Sequence, residues 1–493
     1  MIRLRCVCAA ALALYTACGD NSGITSDLYD AGTKPSETTD AKVSLDAQTS
    51  TTRDTGTRPV LRADGSQEPN PACVNLQCEV RACPGGGTTS VSGIVYDPAG
   101  KNPLYNVAVF VPNTTPEPFD NGASCDTCNS LYTGSPVVST LTDAKGAFKL
   151  DNVPVGTNIP LVIQIGKWRR QLKLATVAEC TDNPQPDKSL RLPKNRSEGD
   201  IPLIAVSTGG ADTLECLLRR IGVDASEYVP GANDAGRIQI YRGKSYGGNS
   251  AAPNTNPSAP DSETSLWNSS DSLLRYDLVL LSCEGDETQK MNQQALHDYA
   301  STGGRVFASH FHYSWFNTGP YGSENLASWR TGSNDIGDIN ADIVTTLADG
   351  KAFAKGVALK DWLGNVGALT NGRLRIEDAR HNADVSAAND PSQPWIVAAE
   401  GNDKGATQYF SFNTPTDALA NVGDTAPMYC GRVVYSDLHV GAASGDDKGK
   451  AVPTGCSNRD LSPQEKALEF MLFDLSSCIT PDELPPAPPP PII

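Results

Sequence analysis

The sequence predicts a two-part fold: a β-sandwich followed by an α/β domain with a doubly wound, mostly parallel sheet. Three observations carry this reading. From residue 88 onward, short alternating apolar stretches are punctuated by turn residues. From about residue 200, near-continuous apolar runs such as "IPLIAVST" and "YDLVLLSCEGD" alternate with helix-period segments. The length of 493 residues exceeds one ordinary domain, and a hydrophobic content of 39% supplies real cores.

The chain opens on "MIRLR", with Arg3 and Arg5, followed by the uncharged run "CVCAAALALYTA" of 12 residues. Such a run is too short to span a bilayer and suits the core of a signal peptide. "LYTAC" resembles a bacterial lipobox, in which the cysteine becomes the lipidated first residue of the mature chain. Thr16 and Ala17 fit the small positions before Cys18, while Tyr15 departs from the usual aliphatic residue. Residues 1–18 therefore read as a lipoprotein signal, with Cys18 as the lipidation site and the membrane as a partner through that anchor. Asp20 follows Gly19 rather than Cys18, so no inner-membrane retention signal is evident and the outer membrane is the expected location. Residues 19–72 are rich in Ser, Thr and Asp. They bury too little apolar surface to offset ordering entropy, and read as a disordered tether.

Residues 73–195 form the first folded part. "CVNLQCEVRAC" is a cysteine-rich lead-in with Cys73, Cys78 and Cys83 at equal spacing. "TTSVSGIVYD", "VAVFVP" and "TLTDAKGAFKLDNVPVG" read as strands and turns of a sandwich. "VSGIVYDPAGKNPLYNVAVFV" and "TDAKGAFKLDNVPVG" resemble the carboxypeptidase regulatory-like family. That resemblance implies an immunoglobulin-like β-sandwich without chemistry of its own. The insertion "ASCDTCNSLYTGSP" departs from it. Trp168, Arg169 and Arg170 read either as a recognition patch or as a charged edge strand, and the edge strand is preferred.

Residues 200–478 carry the α/β pattern. "GGADTLECLLRRIGV" places Leu214, Leu217, Leu218 and Ile221 on one helical face. "RIQIYRG", "RVFASHF", "TQYFSFN" and "GRVVYSDLHV" read as further strands. "TQKMNQQALHDYASTGG" reads as a helix stopped at Gly303. In "SPQEKALEFMLFDL", Ser462, Pro463 and Glu465 compose a capping box. Residues 244–270 form a polar insertion, and 479–493 a proline-rich tail.

Composition narrows the partners and the compartment. A net charge of −17 excludes nucleic acid, whose backbone demands local positive charge. Removing Cys6, Cys8 and Cys18 from the fourteen cysteines leaves eleven. An exported chain meets an oxidising compartment, so most should form disulfides. An odd count leaves at least one free or paired between chains. Zinc competes for "CDTC" (Cys125 and Cys128). No second C-x-x-C accompanies it, so disulfides are favoured.

"YDLVLLSCEGD", "LHDYASTGGRVFASHF" and "GRVVYSDLHV" resemble the class I glutamine amidotransferase-like superfamily, nearest to its ThuA-like branch. The resemblance implies a flavodoxin-like parallel sheet. It places His310 at the elbow where amidotransferases carry a nucleophilic cysteine, and it matches His439 to the family's late histidine. No cysteine lies between residues 284 and 429, and residues 313–405 match poorly.

Ligands bind outside the carboxyl ends of strands in such sheets. "STGGAD", "SCEGDE", "SHFHYSW" and "SDLHVG" stand at those ends. His310, His439 and Asp437 are the catalytic candidates. Ser309, His312, Tyr313, Trp315 and Glu284 are the ligand-binding candidates, with Tyr313, Trp315 and Phe316 able to stack on a sugar. His310, His312 and His439 could hold a divalent metal such as zinc. Residues i and i+2 of a strand share a face, so H-x-H can offer two imidazoles to one ion. A nucleophile would be Cys283 or Ser309 beside His439. Cys283 is expected instead to be a disulfide partner. The bland alternative is a buried polar network. His297 and His381 read as solvated. Two function classes follow. One is a cell-envelope lipoprotein displaying a non-catalytic binding domain, for a carbohydrate or protein ligand, on a sandwich stalk. The other is a metal- or His-dependent hydrolase acting on carbohydrate or cell-wall-type polymers.

Overall fold

The structure, a computed structural model, describes residues 73–126, 128–244, 258–287, 292–418, 428–440, 447 and 450–492. The expected signal, the Cys18 lipidation site, the tether and Gly441 lie outside these residues.

Eight strands build the first part: β1 (Ser90–Tyr96), β2 (Ala108–Pro112), β3 (Pro136–Leu141), β4 (Ala147–Asp151), β5 (Gly156–Ile165), β6 (Trp168–Val177), β7 (Asp182–Pro184) and β8 (Leu190–Arg191). One sheet has the order β3-β2-β5-β6; the other runs β4-β1-β7, with β8 also on β1. Val91 and Val95 of β1 and Val109 and Val111 of β2 are fully buried. Their period of two puts them on one face, as a sandwich core requires. β6 is an edge strand, but its Trp168–Arg170 segment is not a free patch. Trp168 is buried edge-on to Phe473 at 5.8 Å. Arg169 bonds Asp200 at 2.8 Å and lies 4.0 Å over the Phe119 ring.

Thirteen further strands follow: β9 (Ile204–Ser207), β10 (Tyr228–Pro230), β11 (Ile238–Tyr241), β12 (Leu278–Leu281), β13 (Arg305–Ser309), β14 (Ser328–Trp329), β15 (Asp335–Ile343), β16 (Leu369–Thr370), β17 (Arg373–Arg380), β18 (Ala383–Asp384), β19 (Ser392–Ala398), β20 (Thr407–Thr414) and β21 (Gly431–Ser436). β14 and β18 make a short ribbon, and the other eleven form one sheet ordered β10-β11-β9-β12-β13-β21-β20-β19-β15-β17-β16. The helices α1 (Cys128–Leu131), α2 (Leu214–Arg220), α3 (Ser262–Ser265), α4 (Ser270–Leu274), α5 (Gln293–Thr302), α6 (Ala354–Asn365) and α7 (Pro463–Ser476) are mostly short.

This corrects the expected fold. The described chain is mostly β, and its large sheet is mixed rather than mostly parallel. Pairings from β10 to β21 are parallel. Those from β21 to β16 are antiparallel. The physical reason is local. Parallel neighbours need crossover segments, whereas antiparallel ones can be joined by tight turns. In "ALTNGRLRIE", Asn371 and Gly372 have φ of 52° and 77° and join β16 to β17 directly. Two left-handed residues suit the twist of a two-residue hairpin.

The two parts share one core. α7 is buried along most of its length, and its capping box forms as Ser462 and Glu465 predict. Tyr105 of the sandwich stacks on Phe470 of α7 at 5.6 Å, and the Trp362 indole of α6 donates to the Pro103 carbonyl at 2.6 Å. Covalent bonds reinforce the packing. Cys73–Cys78 and Cys83–Cys180 hold the lead-in, and Cys216–Cys456 ties α2 to the loop before α7. Cys125–Cys430 and Cys128–Cys478 join the sandwich insertion to the large sheet and to the end of α7. The sandwich is therefore no separable stalk. Gly303, at φ 134°, ends α5 against that insertion; a Cβ there would lie 2.1 Å from the Ser124 carbonyl oxygen. The proline-rich tail also packs. The Ile492 N–H donates to the Pro136 carbonyl at 2.8 Å, beside edge strand β3, which shields an edge open to further pairing.

Among the described residues, five disulfides mark an exported protein, since such bonds persist in oxidising compartments. Among the described residues no helix is long and apolar enough to cross a membrane.

Candidate functional site

The site grows from the carboxyl ends of three adjacent parallel strands, β12, β13 and β21. Their apolar residues bury both faces of the sheet. Polar groups gather where each strand stops. β12 ends into Cys283, β13 into His310, and β21 into Asp437 and His439.

Asp212, at the end of β9, ties these ends together. Its carboxylate accepts from the Ser309 hydroxyl at 2.6 Å, the Thr213 N–H at 2.9 Å and the Val440 N–H at 2.7 Å. Ser309 thus spends its hydroxyl proton on a buried carboxylate.

His310 turns the chain. Its φ of 43° is left-handed, unusual for a side chain without glycine's freedom, and a 3-10 helix begins at this residue. The Nε2–H donates to the Ser333 carbonyl at 3.2 Å. Nδ1 then faces the Cys283 sulfur at 3.4 Å and accepts a hydrogen bond from its S–H. The His439 ring lies 5.0 Å from the His310 ring, centroid to centroid, at 71°. The thiol and one ring nitrogen from each histidine all lie within 4.8 Å of one another. All three residues are buried.

Electrostatics keep the Cys283 thiol and the His310 imidazole neutral. Burial pushes the Cys283 thiol up to about 12, against the opposing pull of the Phe311 and Gly285 backbone N–H groups. Burial, helped by the Arg380 charge, lowers His310 to about 3. A protonated thiol beside a weak base is not an activated nucleophile. Asp437 is raised to about 6 by burial, moderated by the bond from Tyr435. It accepts from the Tyr435 hydroxyl at 2.7 Å and from the Asn382 N–H at 2.9 Å. That hydroxyl also lies 3.0 Å from the His310 carbonyl oxygen, so Asp437 braces the elbow.

Several expected roles change. His312 does not join His310. The strand ends at Ser309, and the following residues coil into a 3-10 helix, where i and i+2 point to different sides. His312 donates Nε2–H to the Ser282 carbonyl at 2.9 Å and accepts the Trp315 indole N–H at Nδ1 at 3.1 Å. Both nitrogens are occupied, which removes it as a metal ligand. Tyr313, Trp315 and Phe316 are fully buried rather than open to a sugar. Trp315 meets Trp267 at 5.5 Å, and Tyr313 stacks on Trp329 at 6.2 Å. Glu284 is buried and accepts the Lys244 N–H at 3.0 Å. His381 is not solvated; it is buried between Asp403 and Asp384, at 2.8 Å from each. His297 is half-buried on Glu324 at 3.0 Å.

Cys283 is the residue that sequence reasoning misplaced. It is the free cysteine of the described chain, with the ten other described cysteines in disulfides. An odd count signalled that at least one thiol remains, but nothing in the sequence said which; the expected disulfide at Cys283 is not formed.

No family model matches the chain, and no curated protein matches it. Among solved structures, a type II cohesin–X-dockerin complex from Acetivibrio cellulolyticus is similar over 30% of this chain and 79% of its own. Identity is 15% and the TM-score 0.14. The major pilin subunit BcpA of Bacillus cereus is similar over 22% of this chain and 30% of its own, at 13% identity and a TM-score of 0.13. A β-galactosidase from Rahnella sp. R3 covers 50% of this chain and 30% of its own, at 9% identity and a TM-score of 0.23. Likenesses at these scores carry no argument about function. The chain is described by its own geometry: an exported, disulfide-bonded, mostly β protein with a thiol and two imidazoles gathered at three strand ends.

Proposed function

We propose that the chain is a cell-envelope lipoprotein, anchored through Cys18 and a tether over residues 19–72, that displays a non-catalytic binding body. The observation that carries this reading is the pair of disulfides Cys125–Cys430 and Cys128–Cys478, which cross-links sandwich and large sheet. A cross-linked exported body suits a displayed module, because a stiff surface loses little entropy on binding. The amidotransferase-like reading of the second part draws support from the six parallel strands and from His310 at the elbow after β13. The ligand would be a protein or carbohydrate of the envelope. Cys18→Ala should move the protein from the membrane to the soluble fraction, and unaltered membrane retention would overturn the anchor. The purified body should co-sediment with isolated cell envelopes and release no soluble sugar or peptide from them.

A second reading, a metal- or His-dependent hydrolase acting on carbohydrate or cell-wall-type polymers, is favoured by one observation. Cys283, His310 and His439 converge at strand carboxyl ends, where α/β sheets place their sites. Release of soluble fragments that stops in His310→Ala and His439→Ala would replace the first reading with this one.

A further inference from the structure

We propose that Cys283, His310 and His439 form a binding site for a zinc-class divalent ion, with the Cys283 thiolate, His310 Nδ1 and a ring nitrogen of His439 as ligands. The inference goes beyond the display reading and holds whether or not the centre turns over substrate.

Geometry is the first support. Zinc binds thiolate sulfur at about 2.3 Å and imidazole nitrogen at about 2.0–2.1 Å, so a tetrahedral site separates S from N by about 3.6 Å. The Cys283 sulfur and His310 Nδ1 stand 3.4 Å apart. All three donor atoms fall within 4.8 Å of one another. A small inward shift of the His439 ring would complete the triangle.

The tautomer is the second support. A metal-binding histidine commonly donates its other N–H to a carbonyl or carboxylate, which fixes the ring and aims the lone pair. His310 does this, with Nε2–H on the Ser333 carbonyl and Nδ1 turned toward Cys283. His312, in the same six-residue turn, has both nitrogens engaged elsewhere. The turn thus presents one imidazole to the cluster and withholds the other.

Chemistry sets the class of ion. One thiolate and two imidazoles select zinc and its spectroscopic substitute cobalt(II) over oxygen-seeking calcium or magnesium. Three protein ligands leave the fourth position of a tetrahedron for water or a ligand group. Binding replaces the S–H bond of Cys283 with a metal–sulfur bond, and the proton leaves to solvent. One proton is therefore released per ion bound, with no change in oxidation state.

The test uses the mature chain with its disulfides intact, produced in zinc-depleted, cobalt-supplemented medium. Expected are one cobalt per chain, a thiolate-to-cobalt charge-transfer band in the near ultraviolet, and release of one proton on reloading the stripped protein. Cys283→Ser should lose the charge-transfer band. His310→Ala and His439→Ala should each weaken cobalt affinity by at least about tenfold. Circular dichroism and a count of five disulfides check that each variant has folded. His312→Ala is the control and should keep the band. A wild-type protein with no band, or a band that survives in folded Cys283→Ser, overturns the site.

Discussion

Two buried polar centres in this chain are built on opposite principles. At the first, Arg220 of α2 pairs with Asp447 and with Glu465 of α7, at 2.5 Å to Glu465, and Arg459 adds two bonds to the same carboxylate. The paired side chains of Arg220, Asp447 and Glu465 are fully out of water. Every charge there faces an opposite charge, and the Glu465 carboxylate also accepts the N-cap N–H of α7. At the second, the donor atoms of Cys283, His310 and His439 are gathered by three strand ends within 4.8 Å of one another. The first centre satisfies its charges with one another, whereas the second sets a thiol and two imidazoles side by side. That juxtaposition is what the proposed zinc-class site rests on.

The contrast is sharpest in a stability measurement on Arg220→Ala. Removing one partner of a buried ion pair strands the carboxylates, and should cost about 3–5 kcal/mol in urea unfolding. Cys283→Ser should change stability far less; equal losses would erase the distinction. His312→Ala comes next. It strands the Ser282 carbonyl and the Trp315 indole, at about 1–3 kcal/mol, while cobalt absorption should stay unchanged. The smallest effect concerns a third polar contact, between the two parts of the chain. Burial raises Asp97 to about 6, and burial together with the Asp97 charge raises Glu469 of α7 well above the usual range. The unfolded chain gives up these protons near the ordinary carboxyl values, while the folded chain still holds them. Stability from this contact is therefore full below about pH 4 and declines as pH climbs toward 6, by at most about 1.4 kcal/mol per pH unit per proton. Asp97→Asn should flatten that slope, as read by thermal melts between pH 4 and 7. A slope that is unchanged would remove the contact from the pH account.

Sequence reading was strongest where burial is symmetric. "LVLL" and "RVFAS" announce parallel strands because both faces are apolar. "SPQE" announces a helix start because the cap residues sit in sequence order. It was weakest over residues 313–405. β15 reads "DIGDINADI" and is half exposed, with shifts of register along its pairing, so no clean alternation marks it. "TNG" was the available signal for the β16–β17 hairpin. At the site, the positions of His310 and His439 after two strand-like runs left open whether they meet; their rings lie 5.0 Å apart. The partnership of His310 with His312 was not real, because it assumed that the strand runs on through residue 312. A left-handed residue at the elbow ends it, and the pattern of letters alone does not reveal that turn. Cys283 was hidden for a different reason. Composition gives the parity of thiols in an exported chain, but which thiol stays reduced depends on which one is packed away from every other.

The disulfides that join the sandwich to the sheet also set a timetable for biogenesis. Cys125 and Cys128 emerge together, yet their partners follow 305 and 350 residues later. At roughly 5–20 residues per second of synthesis, the two thiols wait on the order of 15–70 s for Cys430 and Cys478. Throughout that interval each is the other's nearest oxidation partner. Correct maturation therefore requires that a premature Cys125–Cys128 bond be prevented or undone.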